Sequence, residues 1–599
     1  MKATCKSCGK QQTITIRKGD KLVNHTCPNG CGHTLKRSNN GRKTRNAVKK
    51  PRRSLGEMVK ETKAKRDNPA GSRHVVVNAL AGTGKTFTLI LGILSLFRKH
   101  KQMWRQVVKG LGFDPQPSPQ QEQVWNLMKE EIPQTVTYVA FNRSIVNEFG
   151  EKWKWAVDIL ASVGTKLDFL TVHQIGFRAC CNAYQLTYKN VNKWKTRNIL
   201  EKEMGCDLRE VFKTRPMLIQ AVEQIVGLCK LNLVGWDAFD ESGNPIQDDN
   251  LDWDTELDKL VTHYGIEMNG ERDDVYRLVP RILERSRTDW LHEIDFNDQI
   301  WLPIVNNLPV PKVDLVLGDE AQDWNHCQQA VIYKMKQRLL MCGDIHQAIY
   351  GFAGADVDSI PRMTELLNYT ERGVTEVPLT VTRRCGKAIV EEAQKLVPAF
   401  EAHESNHDGS ISVMNDEKAK ELMEDDDLVL CRTNAPLIAT AFALIRAGRK
   451  ANIQGRDIGL GLQRIIKNSR KKGVNDFLEW LDEHERTERE RILIRKIPSE
   501  EALVALSDKC ECLRIFCEGA LTLEEVNKNI NNLFRDKPGT GVLLSSVHRA
   551  KGLEADRVFI LQPELMPHPM AKTTWAIGQE YNLKYVAITR AIKELVWIR

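Results

Sequence analysis

The chain reads as an α/β protein with two cores, each a parallel β-sheet covered by helices and interrupted by a helical insertion, behind a small N-terminal module. Three observations predict this. The 599 residues exceed what a single hydrophobic core sustains. From about residue 71, short β-branched runs alternate with helical patterns, as in a sheet buried on both faces. The first 35 residues are too few to bury a core of their own, yet they carry two closely spaced cysteine pairs. With 42% hydrophobic and 28% charged residues, the composition excludes wholesale disorder.

The N-terminal module, residues 1–35, holds Cys5 and Cys8 as C-x2-C and, after an 18-residue gap, Cys27 and Cys31 as C-x3-C. Two thiolate pairs on glycine-containing turns suit tetrahedral Zn²⁺ in a zinc ribbon, with the metal supplying folding energy that so short a segment lacks. Between them QQTITIRKGDKLVNHT predicts a hairpin turning at Lys18-Gly19-Asp20. His33 stands close enough to compete with Cys31 as a ligand; the four-cysteine set is favoured. The other eleven cysteines are scattered and read as reduced thiols. Cys510, Cys512 and Cys517 lie near one another, but no partner cluster beside them points to a second metal.

Residues 36–69 form a basic linker almost without large apolar side chains. Residues 1–67 carry 19 Lys and Arg against four Asp and Glu, a net +15, while the rest of the chain is net −6. Positive charge gathered at one end suits an arm drawn to polyphosphate. No apolar run approaches a membrane span and no signal-like segment opens the chain, so the expected location is cytoplasmic, or nuclear in a eukaryote, neither secreted nor membrane-bound.

The first core is expected over 70–365, with strands at HVVVNAL, TVTYVAF, VDLVLGD and RLLMCGD and a helical insertion at about 180–290. The second is expected over 366–599, with strands at DLVLCRT, GVLLSSVH and DRVFILQP and an insertion at about 456–538. Within the first, VVVNALAGTGKT (75–86) places a glycine-rich turn between a strand and a helix, the setting of a phosphate cradle. The backbone of Ala81, Gly82, Thr83 and Gly84 would wrap the phosphates, Lys85 would reach the β- and γ-phosphates, and Thr86 would ligate Mg²⁺. VDLVLGDEAQD ends a strand in Asp319-Glu320, where the aspartate would hold Mg²⁺ and the glutamate orient or deprotonate the attacking water. Together they imply ATP hydrolysis.

The order of motifs resembles superfamily 1 helicases of the UvrD/Rep/PcrA-like family over 75–599. NALAGTGKT matches the family's A-x-A-G-[ST]-G-K-T. YVAFNRSIVNEF (138–149) resembles motif Ia, TVHQIGFRA (171–179) the next DNA-contacting motif, and IDFNDQIWLP (294–303) the segment ahead of DEAQD. GDIHQAIYGFAGA resembles motif III, LTVTRRC motif IV, LCRTNA motif IVa, SSVHRAKGLEADRVFIL motif V and EYNLKYVAITRA motif VI.

The resemblance implies two RecA-like domains with ATP in the cleft between them and single-stranded DNA across their tops. It implies that Arg384 and Arg590 act as arginine fingers, that Gln347 senses the γ-phosphate or the attacking water, and that Lys551 and Glu554 reach the nucleotide. Phe141, Tyr350 and Phe352 are the candidates to stack bases, and Asn142, His173 and His548 those to touch phosphate or sugar.

Three departures stand out. Ala353 replaces an arginine of motif III, and Thr382-Arg383 replace the Asn-Tyr of motif IV. The adenine-reading glutamine segment is missing from 54–74; the similar PSPQQEQVW (117–125) follows the phosphate loop, and no glutamine is assigned. The implied activity is an ATP-driven, 3′ to 5′ single-stranded DNA translocase and helicase acting on single strands and duplex junctions, with a protein partner open for the zinc ribbon. A nucleotide-switched clamp that hydrolyses ATP without unwinding, and an RNA-directed motor, remain open alternatives.

Overall fold

The computed structural model describes residues 2–4, 11–13, 73–95, 118–128, 133–140, 143–154, 157, 161, 164–236, 238, 239, 245–248, 250–264, 266, 268, 270–349, 351, 358–493, 500–535, 541–569, 571 and 574–599. The chain divides into two compact units, Met1–Lys63 and Ala64–Arg599. In the first, Lys2–Thr4 pairs antiparallel with Gln11–Thr13, Lys2 opposite Thr13. The cysteines at 5, 8, 27 and 31, the turn at 18–20 and the basic linker lie outside the described residues.

Among the described residues the second unit contains two large sheets and two short two-stranded ones, Val381–Thr382 with Glu401–Ala402 and Ala238–Phe239 with Pro245–Ile246. In the first sheet the order is Val374–Leu379, His74–Ala79, Lys336–Gly343, Val313–Gly318, Thr135–Ala140, Lys166–Thr171, and every pairing is parallel. The run HVVVNA fits an interior strand because both of its faces are buried: Val76 packs with the helical layer around Val172–Tyr184, and Val75 and Val77 with Leu89 and Val124 on the other side. That is the pattern of a strand buried on both sides rather than of one facing water.

The strand Val374–Leu379 corrects the expected junction at 365/366. Val374 lies opposite His74 and Leu379 opposite Ala79, so the first sheet continues to Leu379 before the chain crosses over. Val377 and Leu379 are buried, while Pro378 is tolerated because this is an edge strand. The second sheet runs Ser410–Met414, Ala591–Ile598, Ala555–Leu561, Leu428–Cys431, Val542–Ser546, Ala451–Gln454, Phe534–Arg535, again wholly parallel.

Helices recur through 180–290 and 456–538. Lys195–Met204, Leu208–Thr214, Pro216–Leu231, Trp253–Tyr264 and Arg272–Thr288 lie in the first, and Arg456–Ser469, Val474–Leu493, Glu500–Cys517 and Leu523–Leu533 in the second. The first layer is fastened by a buried ionic cluster. Lys195 reaches Asp298 at 2.7 Å, and Lys230 reaches Asp295 at 2.6 Å and Asp298 at 2.7 Å. Burial opposes the charge on Asp298, but Lys230 and Lys195 more than offset that and hold its carboxyl below the usual range. Among the described residues no helix is long and apolar enough to cross a membrane.

Candidate functional site

The chemistry gathers at the C-terminal ends of the first sheet's strands, where an open parallel sheet presents its ligand crevice. Ala79 leads into the loop 80–84, Gly318 into Asp319 and Gly343 into Asp344. Gly82 and Gly84 adopt φ of +67° and +86°, the left-handed region that a Cβ disfavours. Gly82 has a second constraint from its neighbours. A Cβ there would lie 2.5 Å from Thr382 Oγ1 and 2.7 Å from Arg384 Cβ, so motif IV is laid directly against the loop. The backbone N–H of Arg383 also donates to Gly82 O at 3.2 Å.

Lys85 starts the helix Lys85–Ser95, and its Nζ donates to Glu320 Oε2 at 3.1 Å. Thr86 is exposed on the same first turn. Glu320 sits at φ +50°, in the left-handed region. Burial raises the Glu320 carboxyl, but Lys85 and then Lys551 overcome this and bring it down to about 2. Asp319 takes the opposite course: burial and the adjacent Glu320 charge push it up to about 6, although Tyr138 donates its hydroxyl at 2.8 Å. Gln322 donates to Glu320 and accepts the N–H of Asp344 at 3.0 Å, tying the DEAQD turn to motif III. Gln347 is turned inward, donating to Asp344 at 2.7 Å.

The second core brings cations to this edge. Arg384 pairs with Glu554 at 2.6 Å beside the loop. Lys551 donates to Asp323 at 2.6 Å and to the Gln347 carbonyl at 3.0 Å, and lies 3.9 Å from Glu320. Arg590 is only 2% exposed and bonds the Val586 and Leu553 carbonyls and the Thr589 hydroxyl. Burial and the charge on Arg384 bring its guanidinium down to about 10, while Glu320 and Glu554 act the other way. Among the described residues no carboxylate bonds it. Tyr585 completes the seam: its hydroxyl accepts the backbone N–H of Ala81 at 3.0 Å.

Of the sequence-predicted site, the structure therefore brings together Ala81, Gly82, Thr83, Gly84, Lys85, Thr86, Asp319, Glu320, Gln347, Arg384, Lys551, Glu554 and Arg590. Lys551 and Glu554 are engaged by Asp323 and Arg384. Phe141, Asn142, Tyr350, Phe352 and the departure at Ala353 lie outside the described residues. His173 and His548 are both kept neutral. Burial lowers His173 to about 4, and burial with the Arg432 charge lowers His548 to about 3. As uncharged imidazoles they offer hydrogen bonds rather than ionic contacts to phosphate.

Sequence reasoning missed Asp323, Asp344, Gln322, Tyr138 and Tyr585, although all five lie within motifs it quoted. It also gave the segment after the loop no role. There Gln121 braces the cradle, accepting the Ser118 N–H at 2.9 Å and donating to Thr88 at 3.4 Å, with its amide 3.0 Å from where a Gly84 Cβ would stand.

Residues 184–599 match the family described as UvrD-like helicase C-terminal domain. F-box DNA helicase protein 1 of Schizosaccharomyces pombe is 27% identical over 312 residues, covering 48% of this chain and 34% of that protein. The chain thus spans about a third of the length of this curated relative. Among solved structures, the Arterivirus nonstructural protein 10 helicase aligns over 48% of this chain and 40% of its own at 13% identity and a TM-score of 0.23. The same protein in complex with DNA aligns at 11% identity and a TM-score of 0.22.

Proposed function

The chain belongs to the UvrD-like helicase family, and from that premise we propose that it is an ATP-dependent single-stranded DNA translocase and helicase moving 3′ to 5′. One observation carries the proposal: the second core inserts Arg384, Arg590 and Lys551 into the edge where the first holds Lys85, Asp319 and Glu320. A buried cation beside a phosphate-type loop, with no carboxylate bonded to it among the described residues, is placed for an anion to arrive, and the γ-phosphate supplies one. Glu320, firmly ionised, positions or deprotonates the attacking water. Arg590 and Arg384 stabilise charge on the transferring phosphoryl group.

The residues present fit Mg²⁺. Asp319 is a buried carboxylate that burial and the Glu320 charge raise to about 6 against the pull of Lys85, and with Thr86 it would hold the ion. The ion neutralises phosphate charge when bound with the nucleotide. Because the nucleotide contacts both cores, hydrolysis changes how tightly they close, and closure moves the strand. For the N-terminal module we propose one Zn²⁺ on Cys5, Cys8, Cys27 and Cys31, with the basic linker adding affinity for DNA. Strand displacement on 3′-tailed, 5′-tailed and blunt duplexes tests the function. The proposal requires ATP-dependent release from the 3′-tailed substrate by the wild type and none by Lys85→Ala; hydrolysis without release identifies a clamp instead.

A further inference from the structure

A cavity of about 510 Å³ opens beside the seam, on the face of the first sheet away from the phosphate-loop helix Lys85–Ser95. Strand alternation puts Asn78 on the same face as Val76, which belongs to the core of Ile360 on the helix Ser359–Asn368. Val75 and Val77 face the other way, toward Leu89 of the phosphate-loop helix. Leu80, Ile345, Ile360 and Pro378 give the cavity apolar walls, and Ala399 adds one from the second core. Its size is that of a small-molecule site.

Its polar lining is one-sided. Three carboxylates contribute, Asp344, Glu365 and Glu376, and among the described residues neither lysine nor arginine does. Asp344 is engaged by Gln347, but Glu365 and Glu376 are exposed and form no ion pair among the described residues. Glu365 accepts the Tyr369 hydroxyl and Glu376 the Asn78 amide, each at 3.1 Å. Two further oxygens of the lining are left over. Thr364 is 7% exposed and its hydroxyl has no hydrogen-bond partner, although a helical threonine can bond the carbonyl one turn back. Asn78 Oδ1 is buried and unpartnered as well. Polar atoms left so are unfavourable, and a donor that fills the cavity removes that cost.

We propose that this cavity binds an aliphatic polyamine. Methylene stems pack on the leucine, isoleucine and proline walls, and ammonium groups meet Glu365 on the helix and Glu376 on the edge strand. Their N–H groups also reach Thr364 and Asn78. Every unpaired atom named here is an oxygen, and a protonated polyamine offers donors alone. The same carboxylates repel phosphate, so the pocket is no extension of a nucleic-acid path.

The test is isothermal titration calorimetry of the full-length chain with spermidine, free of nucleotide and DNA, so that its outcome stands apart from the proposed helicase activity. One saturable site is expected. Glu365→Gln with Glu376→Gln should weaken it about fivefold, as two exposed ion pairs allow. Thr364→Val, which keeps the shape of the side chain and removes the hydroxyl, should weaken it about tenfold. Glu417→Gln with Glu421→Gln, exposed on the helix Asp416–Leu422, should leave it unchanged. Absence of saturable binding by the wild type, wild-type affinity in the Thr364 and Glu365/Glu376 variants, or an equal loss in the Glu417/Glu421 pair overturns the proposal.

Discussion

The molecule buries two clusters of charge, and they are built differently. In the helical layer, Lys195 and Lys230 enclose Asp298, every member belongs to one layer, and the aspartate is held below its usual range. At the seam, Asp319 and Asp323 are each pushed up to about 6 chiefly by burial, and Arg590 is drawn down to about 10, bonded among the described residues to carbonyls and a hydroxyl. The first cluster is complete within itself and acts as a clasp. The second keeps charges that its own residues do not settle, which is what a site awaiting an anion and a divalent cation requires. Removing a seam cation should therefore damage turnover more than stability, and removing Asp298 the reverse.

The largest expected effect breaks the seam. Arg384→Ala should reduce DNA-stimulated ATP turnover by about 10³-fold, the lower end of what arginine fingers contribute, with the unfolding midpoint close to wild type. An unchanged rate would place Arg384 outside the reaction. Next in size, Asp298→Asn should destabilise the fold by about 3–5 kcal/mol, because two buried ammonium groups lose their counter-charge. Denaturant unfolding measures it, and pH sharpens it. A carboxyl whose folded value lies below its ordinary 3.8 contributes stability above that value and loses it as acid protonates the folded state. The difference between wild type and variant should therefore be level at neutral pH and shrink only below about pH 4.

Deleting residues 1–66 should lower DNA affinity and flatten its salt dependence, since fewer phosphates are neutralised. Equal slopes for the two chains would assign the basic linker to another partner. The smallest effect concerns Glu554, whose side chain is 49% exposed where it pairs with Arg384. Glu554→Gln should free the arginine and lower KM for ATP by no more than about fivefold, the range of a partly exposed pair. A raised KM would show instead that Glu554 touches the nucleotide.

The sequence made the strands and the phosphate loop legible because β-branched runs and glycine spacing are local signals. VDLVLGD and RLLMCGD become the strands Val313–Gly318 and Lys336–Gly343, ending where the acids begin. VTEVPL did not stand out, because an edge strand with a proline in it lacks the apolar run of its neighbours. The partners across the seam were legible only as motifs. Tyr585 meets Ala81 across 504 residues of sequence, and no local pattern records that bond. The Lys195–Asp298–Lys230 clasp was hidden for the same reason, since Lys195 and Asp298 are 103 residues apart and no local pattern pairs them.

The account turns on Arg590 acting from the second core on a nucleotide held by the first. Single-turnover ATP hydrolysis by Arg590→Ala, under saturating single-stranded DNA and with nucleotide binding measured alongside, tests that most directly. A loss of about 10³-fold in the chemical step with binding retained is the predicted result. Turnover within a few-fold of wild type would contradict it.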